Sequence, residues 1–166
     1  MRAAALNRAD LLVLAGHQHG AVGGAGAVVG LECAGEVESL GEGVTDFAVG
    51  DRVMCSARHA LAEFAVTDAG RAIKLPQAMD FAKAATLPVA LQTMHNAIVT
   101  AGRLKKGESV LVQGASSGVG LMALQIAKFM GAGVVIGTST NTDRRARLKE
   151  FGADLALDSR DPNWAE

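Results

Sequence analysis

The stretch Glu108-Ser109-Val110-Leu111-Val112-Gln113-Gly114-Ala115-Ser116-Ser117-Gly118-Val119-Gly120 decides the fold, because it leads from an apolar strand into a glycine-rich turn. Apolar residues then recur at i, i+3 and i+4 over residues 119–130, which predicts a helix with one buried face. Residues 134–137 and 155–157 are two further strand candidates, and residues 143–151 are a second helix candidate. Strand, helix, strand, helix, strand with short links predicts a parallel, right-handed α/β unit.

The sequence before this unit has the pattern of short antiparallel strands separated by Gly and Asp turns, which is typical of a small barrel or sandwich. The strand candidates are residues 28–38, 51–56, 61–67 and 72–75. Residues 15–27 are rich in glycine, and we expect a mobile loop there. Helices are expected at residues 81–86 and 89–101.

Composition excludes several classes of function. The 166 residues include 16 basic and 17 acidic side chains, and the formal net charge is −1. We therefore expect no binding to nucleic acid or to a membrane surface. No apolar run approaches the roughly 18 residues of a spanning helix. The cysteines, Cys33 and Cys55, are expected to be reduced core residues of a cytoplasmic protein.

Residues 114–120 are the candidate cofactor site. The first N–H groups of a helix lack intrahelical acceptors and lie at the positive end of its dipole, so a diphosphate can bind there. Glycine at 118 and 120 permits backbone contact with phosphate and close packing of helix on strand. The predicted contact residues are Ser116, Ser117, Gly118, Val119 and Gly120. A tight structural turn without a ligand is the alternative interpretation.

The end of the second parallel strand bears on the choice between NAD and NADP. A NAD site usually has Asp or Glu about 20 residues after the turn, where it accepts hydrogen bonds from the ribose. Here the run Thr138-Ser139-Thr140 is followed by Arg144 and Arg145. Asp143 is expected to cap the next helix. Hydroxyls and an arginine fork suit a 2′-phosphate, which favours NADPH, although either arginine could instead belong to a solvated helix face.

Two classes of dehydrogenase have glycine turns of this kind. Read as G-x-x-x-G-x-G, the turn resembles that of short-chain dehydrogenases, which carry it near the N-terminus and use a Tyr-x-x-x-Lys pair. This chain has no tyrosine, and more than a hundred residues precede the turn. The short-chain class is therefore excluded. Read as a relaxed G-x-G-x-x-G, the turn resembles that of zinc-free medium-chain dehydrogenases.

Five motifs in order resemble the quinone oxidoreductase (ζ-crystallin-like) family, in the zinc-independent branch of the medium-chain dehydrogenase/reductase superfamily. They are residues 4–10, 30–37, 43–53, 84–90 and the glycine turn. The resemblance implies a GroES-like substrate domain over residues 1–86 and an NADP-binding Rossmann domain over residues 87–166. It also implies hydride transfer from NADPH to a quinone or activated alkene, in a homodimeric parent protein.

The resemblance also assigns site residues. Asn7 would lie beside nicotinamide and substrate, and Thr93 would contact the cofactor. His95 would line the cleft or donate a proton. Asp10 would orient the Asn7 loop or serve as a helix N-cap.

No zinc site is expected, because Asn7 and Leu31 replace the cysteine and histidine of zinc-dependent relatives. The pair His17 and His19 lies in a glycine-rich segment without supporting carboxylates, and no metal is expected there either.

Only three parallel strands are predicted after residue 89, whereas a complete dinucleotide-binding fold has about six. The resemblance therefore implies a fragment that lacks the nicotinamide half and the strands through which relatives pair. We expect the fragment to turn over poorly on its own. A non-catalytic nucleotide-binding or structural (crystallin-like) protein is the alternative.

Overall fold

The computed structural model describes residues 1–19, 22–23, 26 and 28–164. The chain divides into two compact units, Met1–Val89 and Ala90–Glu166. None of the helices in the described ranges is long and apolar enough to cross a membrane.

The first unit is built on an antiparallel sheet of four strands. In spatial order these are β1 (Ala3–Ala4), β4 (Glu32–Glu36), β5 (Arg52–Ser56) and β6 (Ala72–Lys74). The unit also contains helices α1 (Arg8–Leu14) and α2 (Phe81–Ala85). The antiparallel arrangement predicted from the turn pattern is confirmed.

Two short strands, β2 (Gln18–His19) and β3 (Val22–Gly23), pair within the segment predicted as a loop. The remainder of residues 20–27, apart from Gly26, lies outside the described residues. The predicted mobility of this segment stays a prediction.

The predicted strand at residues 61–67 is wrong, because this segment has no regular secondary structure. Its large apolar side chains Phe64 and Val66 are 66% and 91% exposed, so their burial cannot fix a strand register. The segment is held locally instead. The Leu61 amide donates to the Val29 carbonyl at 3.0 Å, and Thr67 Oγ1 donates to the Ser56 carbonyl at 2.8 Å.

The second unit is the predicted parallel α/β unit, and the strands of its sheet lie in the order β7 (Ser109–Val112), β8 (Val134–Thr138) and β9 (Leu155–Leu157). Helix α3 begins at Pro88, ends at His95 and continues as a π-helical segment over Asn96–Ala101. The elements that follow are β7 (Ser109–Val112), α4 (Gly118–Phe129), β8 (Val134–Thr138), α5 (Thr142–Ala146), a 3₁₀ segment (Arg147–Phe151) and β9 (Leu155–Leu157). The predicted strands and helices agree with these bounds to within a few residues.

Helix α4 packs on the sheet through its small and apolar face. Leu124 is fully buried, as are Val135 of β8 and Leu148 of the 3₁₀ segment. Gly137 allows this approach, because a Cβ atom there would lie 3.1 Å from Leu148 Cδ1 and 3.4 Å from Leu124 Cδ2. This packing fixes the first turn of α4 beside the carboxyl ends of β7 and β8.

Candidate functional site

The glycine turn places the start of α4 directly after β7. Gly114 has φ +64°, a left-handed conformation that favours glycine. Ser117 is the N-cap of α4; its Oγ accepts from the Gly120 amide at 3.1 Å and donates to the Gly114 carbonyl at 2.9 Å. The Ser117 carbonyl accepts from the Leu121 amide at 2.9 Å. The amides of Gly118 and Val119 are thereby left without an acceptor among the described residues, as expected for a first helical turn.

The two glycines at the start of α4 have different roles. A Cβ atom at Gly120 would lie 2.6 Å from Ala115 Cα and 2.7 Å from the Gly114 carbonyl oxygen, so only glycine fits where the helix crosses the turn. A Cβ atom at Gly118 would meet no protein atom within 4 Å. The space beside the free first-turn amides is therefore open, and it is the space that a diphosphate requires.

Two of the predicted cofactor residues hold the turn in place through their hydroxyl groups. Thr138 is 1% exposed, and its Oγ1 accepts from the Gly114 amide at 3.2 Å. Ser139 is 4% exposed, and its Oγ lies 2.9 Å from Ser116 Oγ. These contacts tie the end of β8 to the turn after β7. Thr140, the next residue along the chain, is exposed.

The two predicted phosphate-binding arginines differ in their surroundings. Arg145 Nη1 lies 2.8 Å from Asp158 Oδ2 and donates to the Ser139 carbonyl at 2.8 Å, so its guanidinium is engaged within the protein. Arg144 is exposed and lines a shallow cavity of about 300 Å³. The other lining residues are Ser116, Leu121, Asp143, Arg147 and Phe151. Of the two predicted arginines, Arg144 is therefore the one available to an anion in this cavity.

The prediction that Asp143 caps the following helix is wrong. Asn141 is the N-cap of α5, and its Oδ1 accepts from the Arg144 amide at 2.9 Å. Asp143 lies in the first turn instead, where its charge is favourable to the helix dipole.

The candidate substrate residue Asn7 lies in the first unit, held by two buried carboxylates. Its Nδ2 donates to Glu32 Oε1 at 2.8 Å, and its backbone amide donates to Asp10 Oδ2 at 2.7 Å. Glu32 and Asp10 are 3% and 4% exposed. Each carboxylate has a second donor: the Val89 amide reaches Glu32 Oε2 at 2.8 Å, and the Gly30 amide reaches Asp10 Oδ1 at 3.0 Å. Both the backbone and the amide of Asn7 are thus fixed.

For Asp10, the structure decides between the two predicted roles. Asn7 is the N-cap of α1 and Asp10 is the third residue of that helix, so the N-cap alternative is wrong. Asp10 holds the Asn7 amide and the Gly30 amide together, which is the orienting role.

Glu32 was not among the predicted site residues. The available signal was a charged residue inside the otherwise apolar run around Cys33, within a motif already quoted for the resemblance. Thr93 and His95 are exposed on α3, and their predicted roles stay predictions.

Within residues 1–19, 22–23, 26 and 28–164, no three His, Cys, Asp or Glu side chains are grouped so that they could hold a metal ion. At the predicted positions, Asn7 Nδ2 is bonded to Glu32 and Leu31 supplies only a half-buried isobutyl group. These side chains do not fit a zinc ion.

The antiparallel sheet, the parallel α/β unit and the glycine turn together define a dinucleotide-binding dehydrogenase fold. Residues 1–77 match the family described as alcohol dehydrogenase GroES-like domain, and residues 118–166 match the family described as zinc-binding dehydrogenase. The chain belongs to the medium-chain dehydrogenase/reductase superfamily.

Similar proteins include two kinds of enzyme. The quinone oxidoreductase of Rattus norvegicus is 36% identical over 139 residues, which are 82% of this chain and 42% of that protein. A highly reducing polyketide synthase of Fusarium pseudograminearum is 33% identical over 154 residues, which are 92% of this chain and 6% of that protein. The crystal structure of Escherichia coli quinone oxidoreductase complexed with NADPH has 29% identity and a TM-score of 0.82, and covers 96% of this chain and 49% of that one. The chain thus spans less than half the length of each.

Proposed function

We propose that the chain belongs to an NADPH-dependent, zinc-independent oxidoreductase that transfers hydride to a quinone or an activated alkene. The observation that carries the proposal is the open space at Gly118 beside two first-turn amides that lack acceptors. In this proposal the amides of Gly118 and Val119 bind the diphosphate of the cofactor. Similarity to a quinone oxidoreductase that binds NADPH supports the same assignment.

Arg144 supports NADPH over NADH. Arg144 is exposed and lines the same cavity as Ser116. Ser116 lies two residues before Gly118, whose amide is in the first turn of α4. A guanidinium presents several donors to a phosphate and suits a 2′-phosphate better than ribose hydroxyls. No carboxylate stands at the end of β8, where Thr138 is followed by Ser139.

When bound, NADPH would supply a hydride from the nicotinamide ring to an electrophilic carbon of the substrate. The residues of this chain would position the two reactants and stabilise the negative charge that develops on the substrate. Asn7 is suited to positioning because Glu32 and Asp10 hold its side chain and backbone. Asn7 and Leu31 cannot replace thiolate and imidazole as zinc ligands, so we propose a reaction without zinc.

Similarity to highly reducing polyketide synthases favours a second class of acceptor, an α,β-unsaturated thioester. This is an activated alkene, so the same hydride transfer would reduce it and leave an enolate that takes up a proton. Quinone and thioester are separated by assaying NADPH oxidation with 1,4-naphthoquinone and with a crotonyl thioester.

Cofactor binding is tested by titrating the 166-residue chain with NADPH and with NADH, followed by cofactor fluorescence. We expect tighter binding of NADPH. The variant Arg144→Ala should weaken NADPH binding about tenfold, the value of one exposed charge-assisted contact, and leave NADH binding unchanged.

Arg58→Ala is the matched control, because it removes an exposed arginine of the first unit. Equal loss of both cofactors in Arg144→Ala would contradict the 2′-phosphate assignment. Absence of binding to either cofactor would contradict the cofactor site itself. Because the fragment is expected to turn over poorly on its own, turnover is compared in chains with and without the flanking sequence; binding without turnover of any acceptor in both would favour the non-catalytic alternative.

A further inference from the structure

A single row of small side chains runs across the sheet of the first unit. The pairing register places Ala4 of β1 opposite Cys33 of β4, Cys33 opposite Cys55 of β5, and Cys55 opposite Ala72 of β6. Residues directly opposite each other on antiparallel strands point to the same face of the sheet. The two thiols are therefore neighbours on one face, with only an alanine on either side.

The two thiols are already close to bonding geometry. Cys33 Sγ and Cys55 Sγ lie 3.5 Å apart and share one hydrogen bond, and both cysteines are free. Opposed antiparallel residues have Cα atoms about 4.5–5.5 Å apart, within the range that a disulfide spans. Closing the pair requires the sulfurs to approach by about 1.5 Å to the 2.05 Å bond length, which small side-chain rotations can supply.

We propose that Cys33 and Cys55 form an oxidisable dithiol that a hydroperoxide converts to a disulfide within the chain. This modification site is separate from the cofactor turn and from Asn7, and the mechanism proposed above does not use it. The reduced pair is the resting state, and thiol reductants restore it.

The reaction has two steps. Cys33 thiolate attacks a peroxide oxygen and breaks the O–O bond, which gives Cys33 sulfenic acid and releases water or an alcohol. Cys55 sulfur then attacks Cys33 Sγ, the S–S bond forms, and the sulfenic oxygen leaves as a second water. The two thiols lose two electrons and two protons, and the peroxide takes up both.

The order of the steps follows from the shared hydrogen bond. The Cys55 thiol stabilises the thiolate of its neighbour, which lowers the pKa of Cys33. The same contact and burial raise the pKa of Cys55. Cys33 therefore loses its proton first and is the nucleophile toward peroxide.

Access of the peroxide to the buried thiols limits the rate of the first step. Cys33 and Cys55 are 3% and 7% exposed, and buried thiols react slowly. The row ends at β1, a strand of two residues at the edge of the sheet, and short edge strands open more readily than the centre of a sheet. A small hydroperoxide should therefore oxidise the pair, at a rate well below that of an exposed thiol.

The test treats the reduced, folded chain with hydrogen peroxide, removes the peroxide, and alkylates with iodoacetamide under denaturing, non-reducing conditions. Trypsin cleavage after Arg8, Arg52 and Arg58 then places the cysteines in separate peptides, 9–52 and 53–58. We expect these peptides to be joined by a disulfide, with a mass about 2 Da below the sum of the two free thiol forms. Dithiothreitol should separate them. This result does not depend on cofactor binding, so its failure leaves the proposed function standing.

Two variants serve as controls. Cys55→Ser should leave a sulfenic acid on Cys33 that dimedone traps, and Cys33→Ser should give much less trapping at Cys55. Recovery of both cysteines alkylated from the oxidised wild type would overturn the proposal, as would disulfides only between chains. The wild-type measurement decides the question even if a serine variant fails to fold.

Discussion

Two carboxylates hold Asn7: Glu32 accepts from its side-chain amide and Asp10 accepts from its backbone amide. This arrangement predicts the effect of replacing the Asn7 side-chain nitrogen by oxygen. In Asn7→Asp, an oxygen takes the place of the Nδ2 that now lies 2.8 Å from Glu32 Oε1. Two carboxylates at this distance must share a proton, so the pKa of the pair rises above its ordinary value in the folded state. A raised folded-state pKa means that this pair destabilises the variant least below the ordinary carboxyl pKa and that its destabilising effect grows as pH rises through the folded-state value.

The measurement is urea unfolding of Asn7→Asp at about pH 4 and about pH 8, with the loss relative to wild type larger at the higher pH. Asn7→Ser is the neutral control, and its loss should be nearly the same at both values. A loss in Asn7→Asp that does not change with pH would contradict the contact between residue 7 and Glu32.

Glu32 itself is buried and accepts two hydrogen bonds, from Asn7 and from the Val89 amide. Glu32→Gln keeps the shape of the side chain but turns one of the two acceptor atoms into a donor. One partner then loses its acceptor, so we expect the free energy of unfolding to fall by about 1–3 kcal/mol. Guanidinium unfolding measures this loss, and Glu38→Gln, at an exposed position, should show almost none. Equal losses in the two variants would contradict a special role for Glu32.

At the scale of elements, the turn between β7 and α4 separates the packing role of a glycine from its binding role. Gly120→Ala puts a methyl group against Ala115 and Gly114, and should lower the free energy of unfolding by about 1–3 kcal/mol. Gly118→Ala puts the same methyl group into open space and should leave stability unchanged or slightly higher.

For NADPH binding by the folded protein, the order of the two variants should be reversed: Gly118→Ala should impair binding more than Gly120→Ala. Gly118→Ala fills the space proposed for the diphosphate and should raise the NADPH dissociation constant several-fold. Fluorescence titration and chemical unfolding, made on the same samples, check both halves of this prediction. A stable Gly118→Ala variant with wild-type affinity would show that the turn is structural only.

These elements could be predicted from the sequence where local signals agree. The apolar run of β7, the turn after Gly114 and the 3.6-residue period of α4 all favour one arrangement, and the structure has it. The strand predicted at residues 61–67 is wrong because its large apolar side chains Phe64 and Val66 stay exposed, and only the folded chain decides which side chains are buried. The N-cap of α5 is Asn141 rather than the predicted Asp143. Both residue types favour an N-cap position, and sequence spacing alone does not distinguish them.

The candidate site was less predictable than the fold. Arg144 and Arg145 are adjacent and chemically identical, and only tertiary contacts show that Asp158 and the Ser139 carbonyl engage Arg145. Glu32 is paired with residues 25 and 57 positions away, at Asn7 and Val89, and local patterns carry no information about contacts of that range.

At the scale of the whole molecule, three surface carboxylates among residues 1–19, 22–23, 26 and 28–164 are stabilised in their charged form. The pKa of Asp51 is lowered by Lys74, that of Asp154 by Lys128, and that of Asp158 chiefly by Arg160. Asp51 and Asp154 also accept hydrogen bonds from the backbone amides of Ala48 and Val135. A lowered folded-state pKa contributes stability that is present above the ordinary carboxyl pKa and is lost as pH falls through the folded-state value.

The chain should therefore lose stability in acid, as Asp51, Asp154 and Asp158 become protonated and their ion pairs are lost. Asp154 joins Lys128 in α4 to the Val135 amide in β8, with contacts of 2.6 Å and 2.7 Å, so Asp154→Asn removes a link between two elements of the second unit. We expect the melting temperature of this variant to lie below that of wild type at about pH 7. The difference should shrink as pH falls from about 3.9, the ordinary carboxyl pKa, through the lower folded-state pKa of Asp154. Thermal unfolding followed by circular dichroism across this range measures the difference. A deficit that stays constant from neutral to acid pH would show that the charge of Asp154 contributes nothing, and that only the shape of its side chain matters.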